Sequence, residues 1–153
     1  MNLLRDALKS PLSFLILLSF HKSVTMKIVN LSESQSLVNH YLVQLRDIDQ
    51  QKDRMRFREN IKRISYCIAY EISKQLEYSE QNVTSPLAKT EGEVLSEQPV
   101  IALVLRAGLA MHNGFLDMFD QADHCFISAY RDEGPKESIK VHVDYLASPD
   151  LTN

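Results

Sequence analysis

The chain has 153 residues, of which 44% are hydrophobic and 24% charged, a composition typical of one globular domain and unlike disordered or collagen-like chains. Its 17 basic and 20 acidic side chains give a net charge of −3, which argues against nucleic-acid binding because that function usually requires a basic excess. Two cysteines, Cys67 and Cys125, are too few for a disulfide framework and predict free thiols in a reducing, cytoplasmic setting.

The first 25 residues differ in pattern from the rest. Arg5 and Lys9 precede an apolar run over residues 12–20, which is too short to span a bilayer but has the outline of a secretory signal. No small-residue cleavage pattern follows it, and Met26 offers a second start. Three interpretations stay open: an over-extended start, a membrane-touching extension and an export signal. We treat residues 1–25 as an extension, place the domain at 26–153, and do not expect membrane association.

Two amphipathic helices are predicted at the start of the domain. Apolar side chains in residues 37–48 recur at spacings of three and four, which places them on one helical face. A longer helix is expected after Asp53, a plausible N-cap, because apolar positions from Phe57 to Leu76 recur at intervals of 4, 3, 4, 4 and 4. Residues 77–98 lose this periodicity, and residues 82–86 within them are predicted to be a connector.

The second half of the domain predicts a βαβ unit and an arm. The aliphatic run over residues 100–105 and the run within 123–130 are typical of parallel strands buried on both faces, and residues 109–119 between them predict a helix. After the turn signal Gly134–Pro135, apolar and polar residues alternate from 139 to 145, which predicts an exposed strand or hairpin arm.

Two arginines each follow directly on one of these predicted strands. Arg106 and Arg131 would therefore reach the carboxyl edge of one parallel sheet, where α/β proteins bind ligands. Paired guanidinium groups there suit phosphate or pyrophosphate, with Gly108 allowing close backbone approach and the following helix adding its positive end. The alternative is that each arginine only caps or pairs at a strand end.

Other chemistry is not apparent in the sequence. The five histidines show no metal-ligand spacing and are expected to be surface or packed side chains, and Cys125 lies in an apolar run that favours an inert thiol. We therefore assign neither a catalytic nucleophile nor a metal ligand.

Several short motifs resemble the uracil phosphoribosyltransferases over residues 26–153. They occur in the family's order: Asn39-His40-Tyr41-Leu42-Val43, Leu45-Arg46-Asp47, Phe57-Arg58-Glu59, Leu105-Arg106-Ala107-Gly108-Leu109 and Tyr130-Arg131-Asp132-Glu133. The resemblance implies the N-terminal part of a type I phosphoribosyltransferase α/β fold, with two helices, a parallel βαβ unit and a β-hairpin arm.

The resemblance also implies an activity. Family members are glycosyltransferases of pyrimidine salvage that use Mg²⁺ and phosphoribosyl pyrophosphate (PRPP) to convert uracil into UMP and pyrophosphate. By resemblance, Arg106, Ala107, Gly108 and Arg131 would bind the phosphate and pyrophosphate groups of PRPP. The arm at residues 134–146 would embrace a second subunit of a homo-oligomer, and GTP would be an effector, as in some members.

The sequence also departs from the family pattern. Tyr41 stands where proline is usual, and neither the glycine-rich PRPP loop nor the family's uracil-pocket motif occurs in the 153 residues. The expectation is a chain truncated before the PRPP loop and inactive alone. The alternatives are a non-catalytic remnant that pairs with a full-length paralogue and, more weakly, a PRPP- or nucleotide-sensing relative.

Overall fold

The computed structural model describes residues 28–131 and 141–150. The predicted extension over residues 1–25 and the turn Gly134–Pro135 therefore lie outside the described residues. The chain divides into two compact units, Met1–His40 and Tyr41–Asn153. In the described part of the first unit, the Asn39 side-chain amide donates hydrogen bonds to the carbonyl oxygens of Ser32, at 3.4 Å, and Ser34, at 3.0 Å.

Both predicted helices are confirmed, with shorter ends. Helix α1 covers Leu37–Arg46, and a 3₁₀ turn at Gln50–Lys52 leads to α2, which covers Arg54–Ser73. Asp53 is the N-cap of α2, as predicted: its carboxylate accepts hydrogen bonds from the backbone N–H groups of Met55, at 3.1 Å, and Arg56, at 3.0 Å. These bonds satisfy two of the donors that a helix N-terminus leaves unpaired.

A β-hairpin occupies most of residues 77–98, the segment in which the sequence shows no periodicity. Strands β1, Tyr78–Thr84, and β2, Lys89–Leu95, pair antiparallel around a turn in which the Ser85 N–H donates to the Ala88 carbonyl oxygen at 2.9 Å. Of the predicted connector, residues 82–84 belong to β1 and only residues 85 and 86 belong to the turn. The strands were not predicted, because β1 is exposed along its whole length and β2 along most of it, so no apolar alternation marks them.

The predicted βαβ unit is present. Strand β3 covers Val100–Leu105, helix α3 covers Leu109–Leu116, and β4, Asp123–Arg131, pairs parallel with β3. The predicted tail strand is β5, Val141–Ala147, which pairs antiparallel with β4 and gives the sheet the order β3-β4-β5. Its Val143 and Tyr145 are exposed, as expected of an arm.

The core lies between the helices and one face of this sheet. Ala69 of α2, together with Phe119 and Ala122 beyond α3, forms its centre, and the partly buried side chains of Leu76, Leu95, Ile101 and Phe115 pack against it. Leu95 is therefore the residue that ties the hairpin to the core.

Strand β3 is buried on one face only, which corrects the prediction of burial on both. Leu103 is 6% exposed, whereas Val104 on the opposite face is 50% exposed. The reason is that no helix described in the structure packs on the Val104 side. Within the described ranges, no helix is long and apolar enough to cross a membrane.

Candidate functional site

The turn Arg106–Gly108 joins β3 to α3. The Gly108 N–H donates to the Val104 carbonyl oxygen at 3.0 Å, and the Leu109 N–H donates to the Arg106 carbonyl oxygen at 3.2 Å. The peptide bond between Leu105 and Arg106 is cis. Arg106 and Ala107 are exposed, and the Arg106 guanidinium forms no ion pair or hydrogen bond with any residue that the structure describes. The turn thus has a hydrogen-bonded backbone and presents a cation to solvent that no described residue compensates.

Gly108 is needed for packing. Its backbone is right-handed helical, with φ −69° and ψ −16°, a conformation open to any residue. A Cβ added there would lie 3.0 Å from the Leu103 Cβ and 3.1 Å from the Val104 carbonyl oxygen. The absence of a side chain therefore lets the start of α3 approach strand β3 closely, a reason different from the close ligand approach that the sequence suggested.

Arg131 is the last residue of β4, and its backbone pairs with Val141 of β5. The register pairs Leu105, the last residue of β3, with Ser128, so Arg131 lies three residues beyond that level. At about 3.3 Å per residue, this offset is about 10 Å along the strand. Arg106 follows the last residue of β3, so the two arginines lie at the same end of the parallel pair but at different levels along the strands, not side by side.

A pair of histidines links α3 to β4. The Nε2 of His112 and the Nδ1 of His124 lie 3.2 Å apart, so one ring donates a hydrogen bond to the other. Burial, and secondarily His124, lowers the pKa of His112 below its ordinary value of 6.5, which favours the neutral ring. The sequence predicted surface or packed histidines but gave no sign of this pair, because the two residues belong to different elements.

Helix α3 also lies very close to α2. A Cβ at Gly114 would overlap the Ser65 Oγ and lie 2.7 Å from the Lys62 carbonyl oxygen. At the end of α3, the Asp117 Oδ2 accepts hydrogen bonds from the Lys62 Nζ and the Tyr66 hydroxyl, both at 2.7 Å. These contacts, with the hydrogen bond from Lys62 first, lower the pKa of Asp117. Helix α3, which follows the Arg106–Gly108 turn, therefore contacts β4 through His112 on one side and α2 through Gly114 and Asp117 on the other.

In the part of the chain that the structure describes, no group of three or more His, Cys, Asp or Glu side chains could hold a metal ion. The two thiols differ in environment: Cys125 is buried in β4, as predicted, and Cys67 on α2 is partly buried. Burial raises the pKa of the Cys67 thiol, which disfavours its reactive thiolate form. Neither thiol is therefore a better candidate for chemistry than the exposed Arg106–Gly108 turn.

The chain is similar to known proteins over most of its length. A family profile described as "Uracil phosphoribosyltransferase" matches residues 32–147. The uracil phosphoribosyltransferase of Porphyromonas gingivalis is 41% identical over 128 residues, a match that covers 84% of this chain and 59% of the relative. That of Wolinella succinogenes is 39% identical over 98 residues, covering 63% of this chain and 46% of the relative.

A solved structure is similar as well. The AQ2163 protein from Aquifex aeolicus matches with a TM-score of 0.65 and 26% sequence identity, covering 77% of this chain and 55% of that protein. The chain therefore spans about half the length of the proteins that it matches.

Proposed function

The chain belongs to the uracil phosphoribosyltransferase family, and we propose that its Arg106–Gly108 turn and Arg131 form the pyrophosphate-binding part of an enzyme that transfers ribose 5-phosphate from PRPP to uracil. The reaction is inferred from the names of the relatives. In this chain, the proposal concerns the end of the parallel strands, where the arginines would bind the pyrophosphate leaving group.

The chemistry of the transfer explains why arginines suit this position. The bond between ribose C1 and the pyrophosphate oxygen breaks, a bond from C1 to a uracil nitrogen forms, and that nitrogen loses its proton. Negative charge develops on the leaving pyrophosphate while C1 gains oxocarbenium character. Fixed donors aimed at such developing charge stabilise the transition state, and losing one costs on the order of 10²–10³ in rate.

One observation carries the proposal. Arg106 lies on a turn whose backbone is held by one hydrogen bond to β3 and one within the turn, yet its guanidinium is exposed and has no partner among the described residues. An arginine that only capped the strand would contact the carbonyl or carboxylate that it caps. The N-terminus of α3 begins three residues later and adds a positive dipole end at the same edge.

Mg²⁺ is expected with PRPP in this family, but no cluster of ligands for it occurs among the described residues. We therefore assign no Mg²⁺ ligand to this chain. The role proposed for Arg106 is to bind and orient anionic oxygens, which needs no metal ligand from the protein.

The test is calorimetric titration of the 153-residue chain with PRPP and with pyrophosphate. Arg106→Ala removes a charge-assisted hydrogen bond donor, a contact that contributes about 1.5–3 kcal/mol, so the dissociation constant is expected to rise about 10- to 100-fold. Arg58→Ala, at an exposed position of α2, is the matched control and should leave binding unchanged. Equal affinities for wild type and Arg106→Ala would remove Arg106 from the site.

Activity of these 153 residues alone is a separate question. They contain neither the PRPP loop nor the uracil-pocket motif expected of the family, so we propose that a polypeptide of only these residues forms no UMP from uracil and PRPP. Turnover by the purified polypeptide would contradict this proposal without affecting the anion-binding test.

Self-association is proposed through the arm. The described part of the arm, Val141–Ala147, pairs with β4 and exposes Val143, Tyr145 and Leu146, which suits contact with a second copy. Light scattering of the chain and of a Tyr145→Lys variant tests it: the variant is expected to lower the fraction of dimer. Titration with GTP in the same experiment tests an effector role.

A further inference from the structure

We propose that the contact between His112 and His124 is a pH-sensitive switch: when both rings are protonated, the start of helix α3 separates from β4 and the Arg106–Gly108 turn loses its position. The switch itself follows from the packing of this chain. Its effect on anion binding rests on the function proposed above, so the two are tested by separate measurements.

The two histidines join the sheet to the helix that covers one of its faces. His112 on α3 is only 9% exposed, and His124 on β4 is partly buried. Both rings also pack near Phe126, whose ring centroid lies 5.6 Å from that of His112 and 6.1 Å from that of His124. A positive charge on this pair is therefore poorly solvated.

The distance between the rings limits how many protons the pair can hold. The His112 Nε2 and the His124 Nδ1 lie 3.2 Å apart, so in the neutral pair one of them donates a hydrogen and the other accepts it. One further proton on an outer nitrogen leaves this hydrogen bond intact. With both rings protonated, no ring nitrogen can accept and two positive charges face each other, so the contact opens. Burial, and then His124, lowers the pKa of His112, in agreement with this resistance to protonation.

The surroundings provide no charge that would hold a doubly protonated pair together. Among the described residues, no carboxylate forms an ion pair with either ring. Strand β3 has no titratable side chain, and Asp123, which precedes His124 in β4, lies on the opposite face of the sheet by strand alternation. From α2, Lys62 and Tyr66 reach α3, but both bond to Asp117 just beyond its far end.

Opening of the contact reaches the turn that carries Arg106. The His112 N–H donates to the Gly108 carbonyl oxygen at 3.0 Å, so the histidine backbone is bonded directly to the last residue of the turn. A Cβ at Gly108 would lie 3.0 Å from that of Leu103, so the same glycine packs closely on β3. Movement of His112 away from β4 therefore displaces the turn.

The attachment of α3 to α2 does not respond to the same protons. Hydrogen bonds from Lys62 and Tyr66 hold the pKa of Asp117 below its ordinary value of 3.8, so this carboxylate stays ionised at the pH at which histidines titrate. The far end of α3 thus remains bonded to α2 while its start is released, which makes the opening local.

The test is amide hydrogen exchange of the 153-residue chain, followed by NMR at pH 7 and at pH 5. Protection factors over residues 109–116 should fall by at least about tenfold, the effect of one unit of pKa shift, while those at the buried positions of α2 should hold. In His124→Gln and His112→Gln the second positive charge cannot form, so this fall should disappear. His142→Gln, at an exposed histidine of β5, is the matched control and should retain it.

Equal protection of α3 at the two pH values would overturn the proposal, and so would a fall as large in the glutamine variants as in the wild type. An equal fall over α2 and α3 would also overturn it, since the chain would then unfold as a whole.

Calorimetric titration with pyrophosphate at pH 5 tests the consequence for Arg106. His124→Gln should bind at least about tenfold more tightly than wild type, because its turn stays in place. Equal affinities would overturn the link between the switch and the turn. If pyrophosphate binds neither protein, even at pH 7, while α3 still opens at pH 5, the anion site is wrong and the switch stands.

Discussion

Gly114 provides the sharpest test of how the helices are packed. Replacing it by alanine adds one Cβ at the point where α3 crosses α2, and that atom would overlap the Ser65 Oγ and lie 2.7 Å from the Lys62 carbonyl oxygen. The backbone oxygen cannot rotate away, and Ser65 is fully buried with its hydroxyl bonded to the same carbonyl oxygen at 2.6 Å. The helices must therefore separate to admit the methyl group.

Two effects of opposite sign determine how much Gly114→Ala changes the free energy of unfolding. Alanine is a better helix former than glycine by about 1 kcal/mol, which alone would stabilise the protein. Overpacking a close contact costs about 1–3 kcal/mol, and the overlap with both a side chain and a backbone oxygen favours the upper end. We expect a net loss of about 2 kcal/mol, and with a urea m-value of about 1–3 kcal/mol per molar the unfolding midpoint falls by about 1 M.

The assay is urea unfolding followed by circular dichroism. Gly92→Ala on β2 is the matched control, because a Cβ there meets no atom within 4 Å, and its midpoint should not fall. In Ser65→Ala the overlapping hydroxyl is absent, so the added cost of Gly114→Ala should shrink, with a coupling of about 0.5–3 kcal/mol. A Gly114→Ala protein as stable as wild type, or more so, would refute the described crossing of α2 and α3.

Three further predictions concern titrating and capping groups. Lowering the pH from 7 to 5 should destabilise the wild type, because His112 takes up a proton more readily in the unfolded chain than when it is buried beside His124. His112→Asn should reduce the dependence of the melting temperature on pH, measured by thermal melts over this range. The same pH dependence in both proteins would count against this explanation. Asp117→Asn should lower the melting temperature at pH 7 and lower it by less at pH 3. The hydrogen bonds from Lys62 and Tyr66 to the Asp117 carboxylate stabilise the fold above the ordinary pKa of 3.8, and this stabilisation is lost as the pH falls through the lowered pKa of the folded state. Equal effects at both pH values would contradict this. Asp53→Ala should lower the melting temperature while Asp53→Asn should not, because asparagine can still cap α2; equal loss in both would mean that capping is not the cause.

Elements with a strong apolar period could be predicted from the sequence. The 4-3-4-4-4 spacing and Asp53 located α2, and the aliphatic run at residues 100–105 located β3 to the residue. These signals are local, because each arises from one face of one element that packs against the core.

What the sequence did not reveal depends on contacts between elements. The hairpin β1–β2 escaped prediction because its strands have no buried face, and only the Ser85–Pro86 turn hinted at it. The prediction that β3 is buried on both faces was wrong, because an aliphatic run shows that a strand is apolar but does not show which neighbours cover each face. The His112–His124 pair could not be foreseen, since only the packing of α3 against β4 brings the two residues together.

The constraints on α3 explain how an exposed arginine can be positioned accurately. Gly108 fixes the start of the helix against Leu103, the His112–His124 hydrogen bond fixes its middle to β4, and Gly114 fixes its far side to α2. A turn held in this way cannot move without breaking one of these contacts, so the Arg106 backbone is preorganised although its side chain is free in solvent. Preorganisation of this kind is what electrostatic stabilisation of a leaving group requires, because donors that need no rearrangement lose least of their effect. The packing glycines and the histidine pair would therefore act as positioning residues for the proposed anion site, and variants at Gly114 should weaken pyrophosphate binding even where the chain stays folded.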